Sequence, residues 1–364
     1  MKTLKDRIKA QIETAGPMSI ADYMALCLFD PDEGYYTTRE PFGAEGDFTT
    51  APEISQMFGE LCAVWLYTAW KESSAPKTPV VAEIGPGRGT LMKDMLRTWA
   101  KIDPAFRKQM RLFMIEASPR LSDVQRRTLG LPEGEVAWIA DLDALPEGPL
   151  FIVGNELFDA IPIRQYVKVG NAWRERVIGL DAEERLAFMA GAGSADPALL
   201  PPGANNAPEG AIVELAPARN ALMARIAERI GRQGGAGLFI DYGYASPAPG
   251  DTLQAMRGHA YQNVLKEPGK ADLTAHVDFS ALAGAAKERG LTAELMSQGD
   301  FLIGLGLLER AGRLGAGRNA TEQQAIRNDV ERLAGPDQMG TLFKVLAVTP
   351  STVAVPSICL SALT

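Results

Sequence analysis

The chain has 364 residues, 46% of them hydrophobic and 23% charged, a balance that supports a sizeable buried core. It excludes a small disulfide scaffold and a wholly disordered chain. A formal charge of −8 argues against a protein held mainly by nucleic-acid phosphates or anionic lipid, and basic or cationic partners fit better.

In chain order, residues 1–75 read as a helical front segment interrupted by a Gly/Pro/Asp/Thr-rich stretch from Phe29 to Pro52. Within it, GDFTTAPEISQMFGE carries Asp47, Thr49, Thr50 and Glu53 ahead of an apolar helix, and two readings stand: the opening turn of that helix, or a lid over a ligand. In the following LCAVWLYTAW, core packing is a simpler role for the aromatics than a surface for a cation. From Pro79 the pattern becomes apolar strand, glycine turn, amphipathic helix: PVVAEIGPGRG, TLMKDMLRTWAKI, RLFMIE, a helix from Ser118, VAWIA, then PLFIVGNELF and, much later, GGAGLFIDYGY. Such alternation predicts an α/β fold with a mostly parallel sheet over residues 76–364, carrying insertions near 163–235, 244–278 and 305–340. The first insertion holds a predicted hairpin, RQYVKVGNAWRERVIGL, and a segment, GAGSADPALLPPGANNAPEG, whose composition predicts a mobile loop. After Tyr244 a long polar loop is expected as far as HVDFS, and MGTLFKVLAV reads as a late sheet strand.

The sharpest motif is Glu83-Ile84-Gly85-Pro86-Gly87-Arg88-Gly89, an ExGxGxG turn between strand and helix. A dinucleotide fingerprint needs a third glycine where Thr90 stands, and Pro86 removes an amide that a pyrophosphate would use. A close backbone approach beside a carboxylate suits S-adenosylmethionine, which carries an ammonium and a sulfonium but no phosphate. The alternatives are a tight turn without a ligand and, more weakly, a nicotinamide cofactor. Glu116 ends the next strand, where an acid hydrogen-bonds ribose hydroxyls in nucleotide-binding sheets. After the third strand, Asp141 can accept from an adenine amino group and the Leu142 amide can meet the ring, against the reading of a solvated loop acid.

Past the fourth strand stand Asn155, Glu156 and Asp159. In a helical turn Glu156 and Asp159 share a face and would grip a guanidinium in two places, holding a nucleophilic nitrogen toward a methyl donor. The competing reading has Asn155 or Asp159 capping a following helix. His276 and Asp278 lie in a second expected lid, with His276 a proton acceptor, a substrate contact or a structural loop histidine. Cys27, Cys62 and Cys359 are far apart and the histidines number two, so no metal site is expected and the thiols read as free, in a reducing compartment. Apolar runs fall short of the ~18 residues of a membrane span, and the amphipathic start MKTLKDRIKAQIETAG predicts a cytoplasmic location.

With these residues in hand, the chain resembles the MidA family of bacteria and mitochondria through YMALCLFDPDEGYY, GDFTTAPEISQMFGE, EIGPGRGTLMKDML, GNELFDAIPIRQY, FIDYGY, ADLTAHVDFSALA, QGDFLIGLG and MGTLFKVL. The resemblance implies a class I S-adenosylmethionine-dependent methyltransferase, a Rossmann-like sheet with a helical N-terminal segment and inserted lid and hairpin elements. It also implies symmetric dimethylation of an arginine on the 49 kDa-type subunit of respiratory complex I, hence a protein partner. Residue by residue, it puts Glu83, Gly85, Gly87 and Glu116 on the cofactor, and Asn155, Glu156 and Asp159 at the acceptor. Methylation of a small molecule and cofactor-dependent assembly without chemistry are the other readings.

Overall fold

The computed structural model describes residues 2–38 and 49–353; Asp47 and Cys359 lie outside them. Two compact units are present. The larger comprises Thr49–Leu157, Leu222–Ala245 and Phe279–Thr364, and the smaller comprises Met1–Phe48, Phe158–Ala221 and Ser246–Asp278.

Among the described residues, the larger unit is built on seven strands: β1 (Val80–Ile84), β2 (Arg111–Ile115), β3 (Val136–Ile139), β4 (Leu150–Asn155), β5 (Gly235–Tyr244), β6 (Leu291–Ser297) and β7 (Phe343–Pro350). Their order across the sheet is β6-β7-β5-β4-β1-β2-β3. Pairings from β3 through β5 are parallel, while β7 runs antiparallel between β5 and β6. β1 and β4 are buried at every residue, which is why they read as unbroken apolar runs rather than as alternation. The helix Thr90–Ile102 buries Leu91, Met92, Met95, Leu96 and Trp99 along one stripe, the spacing that its sequence announced. The aromatics of the helix Gln56–Glu72 serve the core. Trp70 packs tilted against Phe106 with ring centres 4.4 Å apart, and Trp99 meets the same ring edge-on.

In the smaller unit, helices Leu4–Ala15 and Ile20–Phe29 close a core with Ile178, Leu186 and Leu273. The expected hairpin is present as Arg164–Val169 against Ala172–Leu180. Two expectations are corrected. The segment from Gly191 is not simply a loop: it finishes the strand Leu186–Ser194, then forms short 3-10 turns at Pro197–Leu199 and Ala204–Asn206. Ala204 is buried in one cluster with Tyr166, Trp173 and Val213, because the neighbouring strands supply the bulk that the segment's own composition lacks. The stretch after Tyr244 is also structured, as a sheet of Gln254–Arg257, Ala260–Gln262 and Asp272–Thr274. Its two-residue turn, Gly258-His259, has positive φ at both positions, the geometry of a type I′ hairpin reached without the usual Asn-Gly signal.

Cys27 and Cys62 are buried free thiols. Among the described residues no helix is long and apolar enough to cross a membrane.

Candidate active site

Strand order reverses between β1 and β4, and in open α/β sheets ligands settle at that switch point, beyond the carboxyl ends of the strands. The glycine turn leaves β1 there. Gly85, Gly87 and Gly89 have φ of 65°, 51° and 82°, all in the left-handed region that suits glycine. At Gly85 a second constraint applies, since a Cβ would stand 2.8 Å from Leu157 Cδ1 in the segment after β4. The Gly85 amide donates to the Ile115 carbonyl of β2 at 3.1 Å, which ties the turn to the neighbouring strand end.

Three acids expected from sequence occupy the ends of β1, β2 and β3. Glu83 is 2% exposed, and burial pushes its carboxyl up to about 8. Glu116 is held by the Ser118 amide at Oε1 (2.8 Å) and by Gln125 Nε2 at Oε2 (3.0 Å), and its pKa too is raised by burial. Gln125 also donates to the Gly87 carbonyl at 2.9 Å, so one buried amide links the glycine turn to Glu116. Sequence reasoning missed Gln125. The signal was its place four residues from both Leu121 and Leu129, on the buried face of the helix Pro119–Leu129, where a polar side chain needs internal partners. Asp141 accepts from the Asp143 amide at 2.9 Å, capping a 3-10 turn, and pairs with Arg225 at 2.7 Å, while Leu142 is buried.

At the end of β4, Asn155 is buried and donates from Nδ2 to Glu156 Oε1 at 3.1 Å. Glu156 has φ of 50°, rare for a residue with a side chain and a conformation that clusters at functional sites. The helical turn expected around Glu156 and Asp159 is not formed. The chain bends there, with Ile161 N donating to the Phe158 carbonyl, and no helix follows for Asn155 or Asp159 to cap. Glu156 Oε1 also accepts from the Ala51 amide at 3.3 Å. Two residues on, Glu53 accepts from the Thr90 hydroxyl at the start of the helix that leaves the glycine turn. The short helix Ala51–Ile54, with Thr50 as its N-cap residue and Pro52 in its first turn, is thereby bonded to both sides of the switch point.

In the smaller unit, Arg219 is 1% exposed and donates to the carbonyls of Asp159 (2.9 Å), Ile161 (3.0 Å), Ala275 (3.2 Å) and His276 (2.8 Å). The Ala275 amide donates to Asp159 O and the His276 amide to Thr252 Oγ1. The segments carrying Asp159 and His276 to Asp278 therefore meet, around an arginine that sequence reasoning passed over.

The donor set tests the ligand. Among the described residues, Glu83 Oε2 and Asn155 Oδ1 are buried acceptors without a hydrogen-bond partner. A ligand that brings an ammonium, hydroxyls and an amino group satisfies such acceptors, whereas a pyrophosphate adds more of them. S-adenosylmethionine fits.

Comparison with known proteins agrees. The sequence profile of a family of S-adenosyl-L-methionine-dependent methyltransferases matches residues 61–297, and the chain belongs to that family. The mitochondrial protein arginine methyltransferase NDUFAF7 of Xenopus laevis is 32% identical across 93% of this chain and 83% of its own length. The Drosophila melanogaster homolog is 34% identical across 97% and 86%. A solved structure from Burkholderia thailandensis, bound to S-adenosyl-homocysteine, is 29% identical and matches with a TM-score of 0.85 over 96% of this chain and 92% of that one. The chain is an S-adenosylmethionine-dependent methyltransferase of class I fold, as the resemblance implied.

Proposed function

We propose that this enzyme methylates the guanidinium of a protein arginine, with symmetric dimethylation of the 49 kDa-type subunit of complex I as the specific reaction, in the cytoplasm of a bacterium. The observation that carries the reading is Glu156, a carboxylate on a left-handed backbone at the switch point, fixed by Asn155 Nδ2 and the Ala51 amide. The arginine methyltransferase names of the relatives support the same acceptor.

S-adenosylmethionine supplies an electrophilic methyl on its sulfonium. Gly85 and Gly87, with Glu83, Glu116, Asp141 and the Leu142 amide, would hold it. A guanidinium stays charged at any working pH, so rate must come from orientation and electrostatics, with the proton still in place as the nitrogen attacks. Glu156 would bind one edge of the guanidinium, leaving a free nitrogen as nucleophile and stabilising the charge as the methyl arrives. Glu156 would then take the proton released. Thr50 and Glu53, at the short helix bonded to both sides of the switch point, would cover the cofactor.

The test uses purified protein, labelled S-adenosylmethionine and the recombinant 49 kDa-type subunit, with peptide mass spectrometry to place the methyl groups. A symmetrically dimethylated arginine is expected. Glu156→Gln should retain cofactor binding and lose roughly a hundredfold or more in turnover, as for removal of one electrostatic contact to a transition state. Cofactor binding without label on that subunit overturns this acceptor. Unchanged turnover in Glu156→Gln removes Glu156 from the mechanism.

A further inference from the structure

Gln125 is fully buried beneath the cofactor end of the sheet, and each of its amide heavy atoms is used. Oε1 accepts from Trp138 Nε1 at 3.0 Å. An indole nitrogen only donates, so Trp138 fixes which end of the amide is oxygen and turns the NH2 group toward Glu116 Oε2 and Gly87 O. Trp138 is itself covered by the Arg126 guanidinium, 3.9 Å from the ring centre. Gly89 of the turn lies directly over the stem of this side chain, where a Cβ would stand 3.5 Å from Gln125 Cγ. The orientation therefore runs from the indole, through the amide, to one carboxylate oxygen and one carbonyl of the glycine turn.

We propose that Gln125 is a positioning residue for the methyl donor, setting selectivity for the ribose diol by fixing the Glu116 carboxylate relative to the glycine turn. Glu116 accepts from the Ser118 amide at Oε1 and from Gln125 at Oε2, so each carboxylate oxygen is held by a fixed donor and the plane of the group is set before a hydroxyl arrives. Without Gln125 the carboxylate keeps its charge but loses that fixed plane. The inference rests on the reading that Glu116 takes the ribose.

The experiment measures by calorimetry the affinity of the full chain for S-adenosylhomocysteine and for its 2′-deoxy and 3′-deoxy analogues. Wild type, Gln125→Met, Gln125→Glu and Glu116→Gln are compared, with melting curves confirming that each is folded. Wild type should prefer the intact diol by roughly tenfold or more, the worth of one hydrogen bond to a charged group. Gln125→Met should weaken S-adenosylhomocysteine by about tenfold while scarcely changing the deoxy analogues, so the preference shrinks. Gln125→Glu keeps the shape but, as a buried acid, has one proton to offer two acceptors, Glu116 and Gly87 O, and should shrink the preference in part. An equal loss for all three ligands, or no loss, in the Gln125 variants overturns the proposal. Intact diol preference in Glu116→Gln instead overturns the ribose reading beneath it, and the two failures are told apart by which variant keeps the preference.

Discussion

At the scale of single residues, Glu156 carries a backbone cost beside the chemical role proposed for it. Left-handed φ costs a residue with a Cβ roughly 1 kcal/mol or more, and glycine does not bear that cost. Glu156→Gly is therefore expected to be more stable than Glu156→Ala by about 1 kcal/mol, while both lose methyl transfer. Urea melts of the two variants beside wild type check this, and equal stabilities would mean that the turn relaxes at no cost. The place of Glu156 at the end of β4 was legible because an unbroken apolar run marks the strand that it follows. Gln125 and Arg219 were not, because each acts on backbone carbonyls or on side chains whose position only the folded chain reveals.

Between elements, the helices Gln56–Glu72 and Thr90–Ile102 approach closely at Gly59. A Cβ there would stand 2.8 Å from Asp94 Cβ, an atom next to backbone that cannot swing away. The same contact gathers Glu60, Asp94, Arg97 and Arg310, with Arg310 Nε donating to Glu60 Oε2 at 2.6 Å. Gly59→Ala gains about 1 kcal/mol of helix propensity but should lose about 1–3 kcal/mol to overpacking, a net destabilisation readable by chemical denaturation. The elements themselves were largely readable from sequence. Unbroken apolar runs gave the buried strands, and spacing gave the amphipathic helices. The sheet around Gly258-His259 was not readable, since its strands are three or four residues long and lack an alternating apolar face.

For the molecule as a whole, Glu83 couples folding to pH. Burial lifts its pKa from an ordinary 4.5 to about 8, so the folded chain binds this proton more tightly than the unfolded one. The sign follows from linkage: the stability of the cofactor-free enzyme should fall as pH rises from about 5 to 8. Glu83→Gln should flatten that fall, in thermal melts across the range, and an unchanged slope would show that Glu83 is not the group responsible. The position of β7 has a separate consequence, for biosynthesis. The strand that completes the sheet between β5 and β6 is the last of the seven to be made, so while residues 245–342 leave the ribosome the β7-facing edge of β5 has no partner. The smaller unit has all its segments once Asp278 has emerged, whereas the methyltransferase sheet must wait for Phe343–Pro350, and in that interval its apolar edge depends on chaperones or speed.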